Sequence, residues 1–214
     1  STFSVDLFVS MSFNQIFRKP LFEMPRLGTI NCHAGKLPSY RGRNVLNWVL
    51  INDEKEFGIT VHYVDEGIDT GDIIMQESYP ITDLDDYNSL LSIAYQECPK
   101  LLYKSIQAIS SNTVVRFPQS SSKESALICS RRIPGDEIID WSLSSREIFN
   151  FVRALAHPGP IASTSLSNEI INILKIELVD GAPSYKGIPG SILSKVDNGF
   201  LVKTGDSYLK ITEW

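Results

Sequence analysis

Residues 28–72 read GTINCHAGKLPSYRGRNVLNWVLINDEKEFGITVHYVDEGIDTGD. Two short apolar runs, 29–32 and 59–64, are strand-like, and 43–52 between them is helix-like. Val45, Leu46, Val49 and Leu50 recur there at helical spacing, with Trp48 beside them. Asn31 and His33 stand two residues apart. Side chains alternate along a strand, so these two share a face and Cys32 takes the other. Asp69 lies in the turn-rich loop 65–72 that follows the second strand. In an open α/β sheet, ligand chemistry gathers at the carboxyl ends of strands. An Asn, a His and an Asp converging there can bind an oxyanion, take a proton and orient the base. A lone N-x-H triplet is more often only a structural hydrogen-bonding pair, so the triplet needs a second signal.

That signal is the order of three motifs: N-C-H at 31–33, L-P-S-Y-R-G at 37–42 and G-I-D-T-G-D at 67–72. Together they resemble the signature of the folate-dependent formyltransferases. The family includes glycinamide ribonucleotide transformylase, methionyl-tRNA formyltransferase and the sugar N-formyltransferases. The resemblance implies a catalytic trio of Asn31, His33 and Asp69, with 10-formyltetrahydrofolate as formyl donor and no metal. It also implies a folate slot between residues 12–17 and the 64–69 loop, with Phe13, Gln15, Phe17, Val64, Gly67 and Ile68 as contacts. The fold implied is α/β: a Rossmann-like formyltransferase domain over 1–125, then a linker helix and a small OB-like β-barrel over 126–214. The family places further strands before the one expected at 5–10, so the first domain is expected to lack its N-terminal strands here.

Composition sets broad limits. The chain has 214 residues, 43% of them hydrophobic, which suffices for one large or two modest cores. A net charge of −5 disfavours nonspecific binding to nucleic acid or anionic membrane. No apolar run reaches the roughly 20 residues of a membrane span. The first residues lack the basic and apolar regions of a signal peptide. Cys32, Cys98 and Cys129 form no C-x-x-C, which favours a reducing cytoplasm without structural zinc.

Lys36, Arg41 and Arg43, with Tyr40 among them, are candidate contacts to a substrate phosphate; a solvated loop is the plain alternative. His62, inside the second strand, reads as a hydrogen-bonded residue of the core or one supporting the site from behind, rather than as a catalyst. The acidic loop 65–72 is not an EF-hand: counting from Asp65, the third position is Gly67 and the twelfth Gln76. Residues 73–78 predict a strand and 83–110 an amphipathic helix that Pro99 kinks or restarts. Residues 118–125 read as polar linker. Ser144 and Glu147 have capping-box spacing before a helix at 148–156. Strands are expected at 170–179, 190–196, 200–204 and 208–214, with turns at 197–199 and 205–206.

Three functions compete. R-G-R-N-V-L-N-W at 41–48 is closer to the sugar enzymes, whose acceptor is a nucleotide-linked amino sugar, as in O-antigen synthesis. The tRNA enzymes usually read R-G-A-A-P there. An inactive or ligand-binding remnant is the third reading. A homodimer is compatible with the resemblance.

Overall fold

The computed structural model describes residues 4–13, 15–119 and 127–214. They form two compact units. One takes described residues up to 46, 55–81 and from 91 up to 131. The other takes 47–54, 82–90 and 132–214.

The first unit is built on a four-stranded sheet of order β1-β2-β4-β5. These strands are β1 (Phe8–Met11), β2 (Thr29–His33), β4 (Glu56–Tyr63) and β5 (Ile73–Pro80). β1 runs parallel to β2, whereas β2–β4 and β4–β5 are antiparallel. The first strand is shifted from the expected 5–10, because its ladder begins where Phe8 faces Thr29. Gly28, at φ +84, turns the chain just before that point. β4 is buried from Phe57 to Tyr63, both faces covered, and so reads as an unbroken run rather than an alternation.

Five further elements accompany these strands along the chain. α1 (Lys19–Phe22) is a single turn, and β3 (Arg41–Gly42) pairs in parallel with β6 (Ile128–Cys129). α2 (Val45–Ile51) buries Val45, Leu46, Val49 and Leu50 as its spacing predicts. α3 (Tyr87–Ser110) runs through Pro99 without a restart. Pro99 and Tyr95 are both exposed, so the bond that proline removes lies on the wet face. After α3 the chain returns to the sheet. Phe117 and Ile73 exchange both backbone hydrogen bonds at 2.9 Å.

In the second unit α4 (Ser145–Ala154) starts at the predicted capping box. The Ser144 side chain accepts from the Glu147 amide, and Glu147 accepts from the Ser144 amide. Arg146 bridges Asp53 and Asp83, and Arg153 donates to the carbonyls of Thr82 and Asp85. β7 (Ala162–Leu166) and β8 (Glu169–Ile173) form a hairpin. Its two turn residues, Ser167 and Asn168, both have positive φ, as a tight hairpin turn requires. β7 is missed by sequence reading because ASTSL offers little apolar pattern. The strand expected over 170–179 is two strands, β8 and β9 (Lys175–Leu178). At the break, Leu174 donates to Glu213 rather than to the hairpin. β9 joins β10 (Ile192–Val196), β11 (Gly199–Lys203) and β12 (Tyr208–Glu213) in an antiparallel sheet of order β10-β11-β12-β9. Among the described residues the strands of this unit pair as one sheet and one hairpin, not as a closed ring.

Candidate active site

β2 carries Asn31 and His33 on one face, and the antiparallel register sets His62 opposite Asn31 and Thr60 opposite His33. Asn31 Nδ2 lies 3.3 Å from His62 Nε2. His62 Nδ1 lies 2.7 Å from the Tyr63 carbonyl, which only accepts, so Nδ1 carries a proton. In the neutral ring Nε2 then accepts from Asn31; in the cationic ring it donates to Asp69 Oδ1, 3.5 Å away. His33 has the complementary arrangement. Its Nε2 donates to the Tyr40 carbonyl at 2.7 Å, leaving Nδ1 as the lone-pair nitrogen, 3.7 Å from Asp69 Oδ2.

Asp69 sits at φ +52, a left-handed conformation that Asp tolerates better than most residues. Its Oδ2 accepts from the Gly42 amide at 2.9 Å. The loop is shaped from within, since Asp65 Oδ1 accepts from the Gly67 amide and the Thr70 hydroxyl. Burial pushes the Asp69 carboxyl up. The His62 hydrogen bond, the charge that His33 carries once acid protonates it and the Gly42 amide outweigh it and hold the group at about 2. For His33, burial is the largest influence and pushes the imidazole down, against Asp69 and the Tyr40 carbonyl. The pair therefore consists of an ionised carboxylate beside a neutral imidazole at ordinary pH. Gly35 makes room for it: a Cβ there would sit 2.4 Å from His33 Nε2 and 2.5 Å from the Tyr40 carbonyl. Thr60 and Gln76 tie down the following turn, whose Leu37–Pro38 bond is cis.

The other candidate residues are distributed as follows. Phe13 and Phe17 stack with centroids 4.9 Å apart, and Phe13, Gln15, Gly67 and Ile68 are exposed. Val64 is half-buried and bonded to the Thr29 carbonyl. Lys19, two residues beyond Phe17, pairs with Glu66 of the 64–69 loop. A cavity of about 440 Å³ adjoins this loop, lined by Phe22, Thr29, Tyr63, Val64 and Asp65 among others. Of the candidate folate contacts, only Val64 lines it. Lys36 is paired with Glu56, and Arg41 donates through Nε and Nη2 to Gln119 Oε1. Arg43 is exposed, and its amide donates to the Cys129 carbonyl. Tyr40 is buried, and the group it brings to His33 is its carbonyl.

Sequence reading missed one participant, Gln119. His62 is the buried, hydrogen-bonded residue expected, set beside Asn31 and Asp69 by strand pairing. Gln119, taken as linker, is hydrogen-bonded under the Asp69 loop; residues 120–125 of that stretch lie outside the described residues. Among the described residues, no three His, Cys, Asp or Glu side chains group so as to hold a metal, and no helix is long and apolar enough to cross a membrane.

Two family models match the chain. The formyl transferase model matches residues 1–106, and the formyl transferase C-terminal domain model matches 133–214. The methionyl-tRNA formyltransferase of Halalkalibacterium halodurans is 36% identical over 213 residues, covering 99% of this chain. The chain spans 66% of that relative's length. Among solved structures, the N-formyltransferase of Helicobacter canadensis, in complex with folinic acid and dTDP-3-aminofucose, superposes with a TM-score of 0.74 at 26% identity. It covers 97% of this chain and 73% of its own. A 4-N formyltransferase from Francisella tularensis superposes with a TM-score of 0.68 at 26% identity, over 79% of this chain and 70% of its own. Matched by both models and over 99% of its length by a relative sharing 36% of its residues, the chain belongs to the formyl transferase family.

Proposed function

We propose that this protein transfers a formyl group from 10-formyltetrahydrofolate to the amino group of a nucleotide-linked amino sugar. The observation that carries the chemistry is the pairing of a neutral His33, its Nδ1 lone pair free of the Tyr40 bond, with an ionised Asp69. The acceptor nitrogen attacks the formyl carbon, a C–N bond forms and the formyl oxygen becomes an anion. Asn31 Nδ2 has two hydrogens; one serves His62, and the other is the donor for that oxygen. His33 Nδ1 takes the proton from the incoming nitrogen, and Asp69 stabilises the imidazolium. Collapse breaks the bond to the folate nitrogen, which leaves with a proton returned through His33. Nothing in these steps calls for a metal. The stacked Phe13–Phe17 pair suits a flat, partly polar ring system.

The acceptor reading rests on charge. From residue 137 to 214 there are seven Lys and Arg against nine Asp and Glu, a net −2. Four of the seven are engaged: Arg146 and Arg153 as above, Lys210 with Glu177, and buried Lys203 with the carbonyls of Thr204 and Ser207. That leaves Lys175, Lys186 and Lys195, few cations for an RNA backbone. A nucleotide-sugar presents one diphosphate. The Helicobacter canadensis neighbour was solved with such a sugar. A methionyl-tRNA acceptor is the second reading, favoured by the 36% identical relative. The assay is competition: dTDP-, UDP- and GDP-linked amino sugars beside methionyl-tRNA, with formylated folate, over a range of salt. Formylation of a sugar with weak salt dependence supports the first reading. Formylation of the tRNA alone, falling steeply with salt, replaces it with the second.

A further inference from the structure

Gln119 lies 50 positions beyond Asp69 and 78 beyond Arg41, yet it bonds to both. Its Nε2 donates to the carbonyls of Asp69 at 2.9 Å and Gly71 at 2.7 Å. Its Oε1 accepts from Arg41 Nε at 3.2 Å and Nη2 at 2.6 Å. Two hydrogens and two lone pairs are all that a primary amide offers, so the group is fully used. Its orientation is unambiguous, because guanidinium only donates and carbonyls only accept. The two-way bridge between Phe117 and Ile73 delivers Gln119 to this position on the sheet.

We infer that Gln119 is a positioning residue that locks the Asp69 loop and the Arg41 guanidinium into one unit, coupling acceptor recognition to the proton-transfer pair; this rests on the formyl-transfer reading above. Asp69 is held at its carboxylate by the Gly42 amide, and Gly42 follows Arg41 in β3. The Gln119 amide holds the same residue by its backbone. The two contacts together fix a left-handed conformation that the loop would otherwise leave at little cost. A fully satisfied polar network of this kind specifies one geometry. Leu cannot bond to either end. Glu still accepts from Arg41 but sets an anion against two carbonyls. Asn falls one methylene short of spanning the gap.

The test uses the Gln119→Leu and Gln119→Glu variants of the protein expressed from its whole gene. In both, kcat should fall on the order of 100-fold, the usual result of an ångström of misplacement at reacting groups. The KM for the acceptor should rise in Gln119→Leu while that for folate stays unchanged. Ring-proton NMR gives a readout independent of turnover. The His33 signal, assigned with His33→Ala, should titrate lower in Gln119→Leu, because Asp69 no longer stands close enough to support its charge. A Gln119→Glu variant as fast as the parent overturns the bridge, as does a Gln119→Leu variant with parental kinetics or an unchanged His33 titration. If Gln119→Leu does not fold, Gln119→Glu decides by rate alone. A parent protein that formylates no acceptor would refute the formyl-transfer reading, and the titration would still decide whether Gln119 holds the Asp69 loop.

Discussion

Acid should unfasten the Asp69 loop over a narrow window. The carboxyl titrates at 3.8 when free and at about 2 in the folded chain. Its folded value is depressed, so the stability it contributes is present above 3.8 and is lost as pH falls through about 2. Each tenfold change in proton affinity is worth about 1.4 kcal/mol, so the contribution is about 2 kcal/mol. The side chain is 15% exposed, so solvent screening takes little from that figure. In Asp69→Asn the titration is gone, although the amide oxygen can still accept from Gly42. Urea unfolding of parent and variant, followed by hydrogen exchange of the β2 and β4 amides, should therefore give curves that run parallel near neutrality. They should converge or cross by about 2 kcal/mol between about pH 4 and pH 2. Other carboxylates contribute equally to both proteins and cancel in the difference. Two curves that stay parallel down to about pH 2 would show that the folded state does not hold the carboxylate, and the reasoning about the His33–Asp69 pair would fall with it.

Asn31→Ala, His33→Ala and Asp69→Ala should each lower turnover by at least about 100-fold in a discontinuous formylation assay, the usual scale for a preorganised group at the reacting centre. Rates near normal in all three would reject the assignment. Gly35→Ala should cost activity on a similar scale, about 100-fold, because the new methyl overlaps both His33 Nε2 and the Tyr40 carbonyl. A Gly35→Ala variant with parental kcat would show that the ring has room to move. The rate should fall on the acid side with a midpoint below the ordinary imidazole value of 6.5, since burial depresses His33. A limb at or above 6.5 would contradict a desolvated, neutral base.

What the sequence determined alone is what depends on near neighbours along the chain. Strand periodicity set Asn31 and His33 on one face without reference to any other residue. Helical spacing marked the buried face of α2, and the Ser144–Glu147 capping box closes within three residues. The ordered motifs located Asp69 in a loop after β4. Only the tertiary structure could decide which distant partners meet these groups. His62 reaches Asn31 through an antiparallel register across 31 positions. Gln119 comes under the Asp69 loop because a two-way bridge at Phe117 pins its segment to β5. Lys36 has an acid partner in Glu56, 20 positions away. Leu174 ends one strand and begins another because its amide finds Glu213. The physical reason is one of range. Side-chain alternation and caps act over a few residues and leave a pattern. A hydrogen bond between remote groups leaves none, because any polar residue at position 62 or 119 reads alike until the backbone brings its partner within about 3 Å.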